Sequence, residues 1–372
     1  MPTERIDTAD GSREHQFVPA GEANWRNGAV LMSKALDAWG FESVSADAWR
    51  PGANAARVVR VDRGESDVVT DSGRIRVLSD SQRAQGDVAP VTGDWVEIGE
   101  VEGLGSVIER VLPRRTAVSR RDPAEKDLEQ VLASNVDVVA AVLGLDRPLQ
   151  PGWLERLLVM AIDSGAVPVI VLTKVDVVDP SSTTMDIVDA IAGPIPVIAT
   201  SVMDGHGLDD LRGFLGPGRT LALVGESGAG KSSLVNALVG DDVLEVGEVR
   251  AADAEGRHTT TARELVMLPG DAGMVLDTPG IRTLGLWEAE HAVDLVFGDL
   301  VELSAGCRFR DCACRDEPGC TVQDAVRAGD VSARRVGLFL DLRTELDELR
   351  RREEERQRRG SRGGRSRVGR RR

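Results

Sequence analysis

The sequence predicts an α/β protein: a doubly wound, mostly parallel sheet, preceded by a small β-barrel of OB type and followed by a short cysteine-rich domain. Three observations carry this. Between residues 134 and 285, VDVVAAVLG, VPVIVLTK, IPVIATS, TLALVG and GMVLDTPG read as buried parallel strands, with helical stretches between several of them. From about 55 to 120 the pattern changes to short apolar-polar runs broken by Gly and Asp turns, about five strands in 65 residues. All four cysteines fall within CRFRDCACRDEPGC, at Cys307, Cys312, Cys314 and Cys320.

A chain of 372 residues with 41% hydrophobic content has room for two or three domains with real cores. The N-terminus MPTERIDTAD has no apolar h-region, and nowhere do about 18 apolar residues run together, so neither a signal peptide nor a membrane span is expected. A cytoplasmic protein is the expectation. The organisation reads as an N-terminal extension (1–50), the barrel (51–121), the α/β domain (122–299), a metal-binding domain with a C-terminal helix (300–349) and an Arg-rich disordered tail (350–372).

Residues 1–50 are weakly patterned apart from a helical LMSKALDAWGF. In the barrel, Arg57, Arg60, Arg63, Arg74 and Arg76 suit either a nucleic-acid face or a solvated surface, and Arg110, Arg114, Arg115, Arg120 and Arg121 crowd its exit. Phe339, Leu342, Leu346 and Leu349, at 3-4-3 spacing, predict an amphipathic helix near the C-terminus. The tail holds twelve Arg and three Glu, a net of +9 in a chain of net −15, which leaves −24 on the rest. Such a tail suits a phosphate backbone, because each Arg neutralises charge and releases counterions; a tail that only aids solubility is the alternative.

GESGAGKS, Gly225 to Ser232, matches G-x-x-x-x-G-K-S after the strand TLALVG and before the helical SSLVNALVG, the context a phosphate loop requires. In this reading the backbone of Gly225, Glu226, Ser227, Gly228, Ala229 and Gly230 wraps the phosphates, with Ser233 continuing the helix start. Lys231 reaches the β- and γ-phosphates and Ser232 ligates Mg²⁺. Lys231 and Lys174 are two of only four lysines against 42 Arg, which suggests sites that want a compact ammonium. DTPG at 277–280 offers Asp277 to Mg²⁺ and the Gly280 N–H to the γ-phosphate. In LTKVD, Asp176 can accept from the N1–H and N2–H₂ of guanine while the stem of Lys174 covers the ring; Ser201, in ATS, can reach the guanine carbonyl. Taken alone, TKVD is also compatible with an ordinary strand-loop sequence.

These elements run base loop, phosphate loop, DTPG, the inverse of most GTPases. A circularly permuted P-loop GTPase domain is the prediction. The inversion is harmless, since in a doubly wound sheet every loop meets the same rim whichever strand comes first. It does place the segment after DTPG, the cysteine cluster, close to a γ-phosphate-sensing loop. Four soft ligands within 14 residues suit a closed tetrahedral Zn²⁺ site; disulfides are the alternative in an oxidising compartment.

From about residue 55 to 345 the chain resembles the ribosome small-subunit-dependent GTPase A family. The resemblance rests on TGDWV, VLPRR, LTKVD, GESGAGKSS, GRHTTT at 256–261, DTPG and a cluster ending EPGC. It implies GTP hydrolysis stimulated by the 30S ribosomal subunit in late maturation, with the barrel and zinc domains touching 16S rRNA. A monomer is the expectation, though no feature of the sequence demands it. By residue matching it places Gly225, Gly230, Lys231, Ser232, Asp277 and Gly280 on phosphate and Mg²⁺, and Thr173, Lys174, Asp176 and Ser201 on the base. One departure is Cys314, where the family has His; a Cys₄ site is more anionic than Cys₃His but chemically sound. Ile281 stands where many GTPases carry a water-orienting Gln, so His258, with Thr259 and the Mg²⁺ candidate Thr260 beside it, becomes the candidate catalytic group alongside Lys231 and Gly280. An RNA-binding assembly chaperone using GTP only as a sensor is the rival expectation.

Overall fold

The computed structural model describes residues 34–44, 48–50, 53–79, 88–122, 128–150, 152–177, 182–240, 263–278 and 285–368. A short helix α1 (Lys34–Asp37) and a 3-10 turn at Phe41–Ser43 precede the barrel. The Phe41 ring packs edge-on against Trp95 at 4.9 Å and Trp49 at 5.6 Å, so this part of the extension is anchored by aromatic burial.

The barrel comprises β1 (Asn54–Val61), β2 (Glu65–Thr70), β3 (Gly73–Leu78), β4 (Trp95–Val101) and β5 (Gly105–Val111). β1 pairs antiparallel with both β2 and β4, and β2–β3, β3–β5 and β5–β4 complete a closed ring. Closure leaves no free edge. Ala56, Val58, Val68, Val77, Val96 and Ile108 point inward and fill it.

A hairpin, β6 (Ala117–Arg121) and β7 (Glu129–Ser134), leads into the nucleotide sheet. The next elements are β8 (Val138–Gly144), α2 (Trp153–Asp163), β9 (Val167–Thr173), α3 (Ser182–Ala192), β10 (Val197–Thr200) and α4 (Leu208–Arg212). They are followed by β11 (Thr220–Gly225), α5 (Lys231–Val239), β12 (Glu264–Met267) and β13 (Met274–Asp277). The order β10-β9-β8-β11-β13-β12 puts the five apolar runs in one parallel block, and β12 adds an antiparallel edge. β12 then bridges to β1 at Glu264 and Arg60, so the described sheet runs unbroken from the nucleotide sheet into the barrel.

The C-terminal part holds α6 (Glu290–Val296), α7 (Gly298–Ala305), α8 (Thr321–Ala328) and α9 (Ala333–Val368). The expected stripe is real: Phe339, Leu342, Leu346 and Leu349 are all at most 2% exposed. Three of them pack with Phe297, Leu300 and Val322, and burying each contributes about 1.5–3 kcal/mol. The tail expected to be disordered differs: the backbone stays helical to Val368. Arg and Glu are good helix formers, and pairs such as Arg352–Glu348 and Arg358–Glu354 at i,i+4 add support.

Candidate functional site: a nucleotide rim and a cysteine knob

Because β8, β9, β11 and β13 are parallel, their carboxyl ends share one rim, and the chain passes from each into a candidate loop. β11 ends at Gly225, where a Cβ would sit 2.3 Å from Val142 O on β8, so only glycine lets the strands pair and the loop turn there. Gly230, at φ 93, makes the left-handed turn that starts α5.

Lys231 is 6% exposed and folds back into the loop, its Nζ donating to Gly225 O at 3.0 Å and Glu226 O at 2.8 Å. Burial lowers its pKa, with the Asp277 charge opposing. In the first turn of α5, Ser232 Oγ donates to Asp277 Oδ2 at 2.6 Å, whereas Asp277 Oδ1 is buried without a partner. Burial raises the Asp277 pKa against the pull of Ser232 and Lys231. An orphaned, buried carboxylate oxygen beside a hydroxyl is the donor set a Mg²⁺ ion brought by a nucleotide would fit. Thr278 Oγ1, donating to Leu223 O at 2.7 Å, ties the residue after β13 to β11.

The loop bearing LTKVD is tied to the loop bearing GESGAGKS. Thr173, 3% exposed, donates its hydroxyl proton to Ala229 O at 2.6 Å, with Leu143 O 3.3 Å from the same Oγ1, so its side chain braces the two loops and does not face a base. Lys174 adopts the left-handed φ of 65 and extends Nζ to Gly228 O at 2.8 Å and Asp146 Oδ2 at 2.7 Å. Asp176 is exposed, and its carboxylate makes no hydrogen bond or ion pair among the described residues. Ser201 is fully buried, its N–H donating to His206 O at 3.0 Å.

The four cysteine Sγ atoms lie within 4.8 Å of one another, Cys307 and Cys320 at 3.8 Å. A tetrahedral ion with Zn–S near 2.3 Å needs S···S edges of about 3.8 Å. Cys320 precedes α8, and Cys312 and Cys314 sit on a loop pinned by Glu317, which accepts the N–H groups of Ala313 and Arg315 at 3.1 and 3.0 Å. Burial acts to raise the Cys307 pKa, but the Thr321 hydroxyl and amide pull it down to about 7. Burial and the neighbouring sulfurs push Cys314 above the usual thiol range. Four such thiols cannot all ionise without a cation among them, so the set fits a metal.

A profile of the RsgA GTPase family matches residues 111–287. The small ribosomal subunit biogenesis GTPase RsgA of Streptomyces avermitilis is 41% identical over 337 residues, covering 89% of this chain and 86% of that protein. The chain belongs to the RsgA GTPase family. The protein of the same name from Streptomyces coelicolor is 41% identical over 84% of this chain and 86% of its own length. Among solved structures, YjeQ from Thermotoga maritima aligns with a TM-score of 0.55 at 26% identity, over 79% of this chain and 98% of that one. The circularly permuted GTPase YloQ aligns at 0.53 over 80% and 96%, at 22% identity, a likeness of fold. Membership makes the chain a GTPase of circularly permuted fold, with Mg²⁺ accompanying GTP, and favours hydrolysis over the sensor-only alternative.

The barrel arginines, read from sequence as either a nucleic-acid face or a solvated surface, are mostly engaged within the protein. Arg57 is 2% exposed and points into the seam with the nucleotide sheet. Arg74 bonds Asp67 and Glu264, Arg76 bonds Asp62, Glu65 and Asp67, and Arg60 reaches Asp62. Of the five, Arg57 meets only uncharged acceptors, and Arg63 has no hydrogen bond or ion pair among the described residues. At the exit, Arg110 pairs with Glu97, Arg114 with Asp94 and Arg115 with Asp137. Carboxylates across the barrel, invisible as partners in sequence, neutralise most of this charge.

His258, Thr259, Thr260, Gly280 and Ile281 lie outside the described residues. Two residues at the rim escaped the sequence reading: Asp146, which holds Lys174, and Arg147, whose guanidinium donates to Ser227 O at 3.1 Å and Gly228 O at 3.3 Å. The signal was their place directly after a buried strand ending at the ligand rim. Among the described residues no helix is long and apolar enough to cross a membrane.

Proposed function

We propose that this chain hydrolyses GTP to GDP and phosphate, stimulated by the small ribosomal subunit during its maturation, and is released after hydrolysis. The observation that carries this is the Lys231–Ser232–Asp277 constellation, with its orphaned Asp277 oxygen, joined through Thr173 and Lys174 to the loop bearing the exposed Asp176. The names of the relatives supply the ribosomal partner.

In this reading Lys231 Nζ exchanges the Gly225 and Glu226 carbonyls for phosphate oxygens, and the backbone from Gly225 to Ser233 encloses the phosphates. Asp176 accepts the two guanine N–H groups and the stem of Lys174 covers the ring, while Ser201, buried with its N–H held by His206 O, supports the base loop from behind and does not itself reach the guanine carbonyl. Thr173 positions both loops. Ser232, Asp277 and Thr260 hold Mg²⁺, which when bound neutralises phosphate charge. Gly280 N–H meets the γ-phosphate, and His258 orients the attacking water.

Cys307, Cys312, Cys314 and Cys320 hold one structural Zn²⁺ in the domain from 300 to 349. The barrel from 51 to 121 and that domain contact 16S rRNA on either side of the GTPase domain from 122 to 299. The Arg-rich stretch from 350 adds affinity for RNA. The protein acts in the cytoplasm as a monomer.

GTP turnover by the purified protein, with and without 30S subunits at one salt concentration and with 50S subunits as control, tests this. Strong stimulation by 30S alone is expected. Tight GTP binding with no stimulation by either subunit would overturn it.

A further inference from the structure

The rim holds a cation to which the reading above gives no role. Arg147 follows β8, and its side chain, 38% exposed, lies over the outside of the phosphate loop. Nη1 donates to Ser227 O at 3.1 Å and Nη2 to Gly228 O at 3.3 Å, so the two prongs of one guanidinium take two successive carbonyls. Asp146 orients the arrangement: Oδ1 faces Arg147 Nε at 3.5 Å and Oδ2 accepts from Lys174 Nζ at 2.7 Å.

Each of the five carbonyls from Gly225 to Ala229 therefore accepts a side-chain donor. Lys231 takes the first two from within, Arg147 the next two, Lys174 shares Gly228 O, and Thr173 takes Ala229 O. In a trans peptide the C=O and N–H point in opposite directions. A donor that fixes the Ser227 carbonyl outward consequently fixes the Gly228 N–H inward. Gly228 has φ 78, a backbone free to rotate for want of a Cβ, and its N–H donates to no partner among the described residues. The next amide, of Ala229, is turned to Glu226 O at 3.3 Å. The Gly228 N–H is thus one of the loop amides left without a partner, and Arg147 is the described side chain that grips the peptide carrying it.

We propose that Arg147 is a positioning residue of the nucleotide site: its forked donors hold the Ser227 and Gly228 carbonyls outward, so that the Gly228 N–H is presented to the phosphates of GTP and GDP alike. This rests on the assignment of the loop to phosphate. A lysine cannot replace it, because a single ammonium does not match two fixed, neighbouring acceptors as a planar fork does.

The test is titration of the full chain with fluorescent mant-GDP and a mant-labelled non-hydrolysable GTP analogue, with steady-state GTP turnover alongside. Arg147→Ala is expected to weaken both nucleotides about tenfold, the scale of a charge-assisted hydrogen bond lost from a preorganised site. KM should rise with it while kcat falls by less than about threefold, because the chemical groups stay in place. Arg147→Lys should recover only part of the loss, and Arg147→Met, which keeps the aliphatic contacts, should behave like Ala. Urea midpoints equal to wild type show that folding is not the cause. Unchanged affinities in Arg147→Ala, full rescue by Lys, or a loss confined to kcat would each overturn the inference. Failure of the wild-type chain to bind either nucleotide would remove the phosphate-loop assignment itself, a separate outcome.

Discussion

The seam between barrel and nucleotide sheet and the rim of that sheet each bury a basic side chain, in opposite ways. At the seam, Arg57 spreads its guanidinium over fixed partners: Trp39 O, Asn135 O at 3.1 Å, Thr220 Oγ1 at 2.9 Å and Met274 Sδ at 3.5 Å, with Trp95 5.5 Å beneath. Burial lowers its pKa to about 10, leaving it charged, and only Nε lacks a partner. At the rim, Lys231 touches only carbonyls of its own loop, and Asp277 keeps an empty oxygen. A charge held by four separate segments is structural. A charge held by a glycine-rich loop is exchangeable, and stability has been given up there so that a ligand can complete the site.

Breaking each side should therefore move different observables. Lys231→Ala should lower GTP turnover by on the order of 10²–10³, the scale of removing a transition-state electrostatic contact, while its urea midpoint stays equal to wild type or rises. A clear loss of stability would sink the contrast. Arg57→Met should do the reverse, costing about 3 kcal/mol in urea unfolding because the Asn135 carbonyl and Thr220 hydroxyl lose their donor, with mant-GDP affinity within about threefold of wild type.

A third seam sharpens the comparison. Glu345 on α9 accepts from Arg121 at 3.1 Å, Arg156 at 2.9 Å and Leu286 N at 3.2 Å, the last a few residues after DTPG in the chain. Glu345→Gln should cost about 1 kcal/mol in stability, since the partly exposed ion pairs weaken while the hydrogen bonds can persist. A drop in nucleotide affinity as large as that of Lys231→Ala would make this seam part of the rim.

The smallest expected effect is one of pH. The Asp277 pKa is raised by burial, so its carboxylate takes up a proton at a higher pH than an ordinary aspartate. Mg²⁺-dependent nucleotide affinity should start to fall as pH is lowered into that raised range. The folded state binds this proton more tightly than the unfolded chain, so the group's contribution to stability moves the other way and increases on acidification. Asp277→Asn should flatten both trends; titration of affinity and of urea midpoints against pH in the two proteins measures them.

Much of this was legible locally. GESGAGKS between an apolar strand and a helix, the 3-4-3 stripe of α9 and the cysteine spacing each describe short-range geometry, which sequence encodes by period and residue type. The parallel block was legible too, because strands buried on both faces must be apolar throughout. The antiparallel β12 was not, since ELVM is four residues long with no distinctive period. Nor was the tail's helix to Val368, where propensity outweighed the disorder suggested by composition.

What the sequence alone determined is the set of local devices: strands, turns, the GESGAGKS and LTKVD stretches after their strands, a cysteine cluster and an amphipathic helix. What only the tertiary structure decided is which partner each charge meets. Arg74 finds Glu264 after 190 residues, Arg57 finds Thr220 after 163, and Arg147 finds the Ser227 carbonyl after 80. Ion pairs and hydrogen bonds act over a few ångströms in space and leave no period in the chain, so whether an arginine becomes a buried tie, a neutralised surface charge or the partner of loop carbonyls is decided only when the sheet brings its partner alongside.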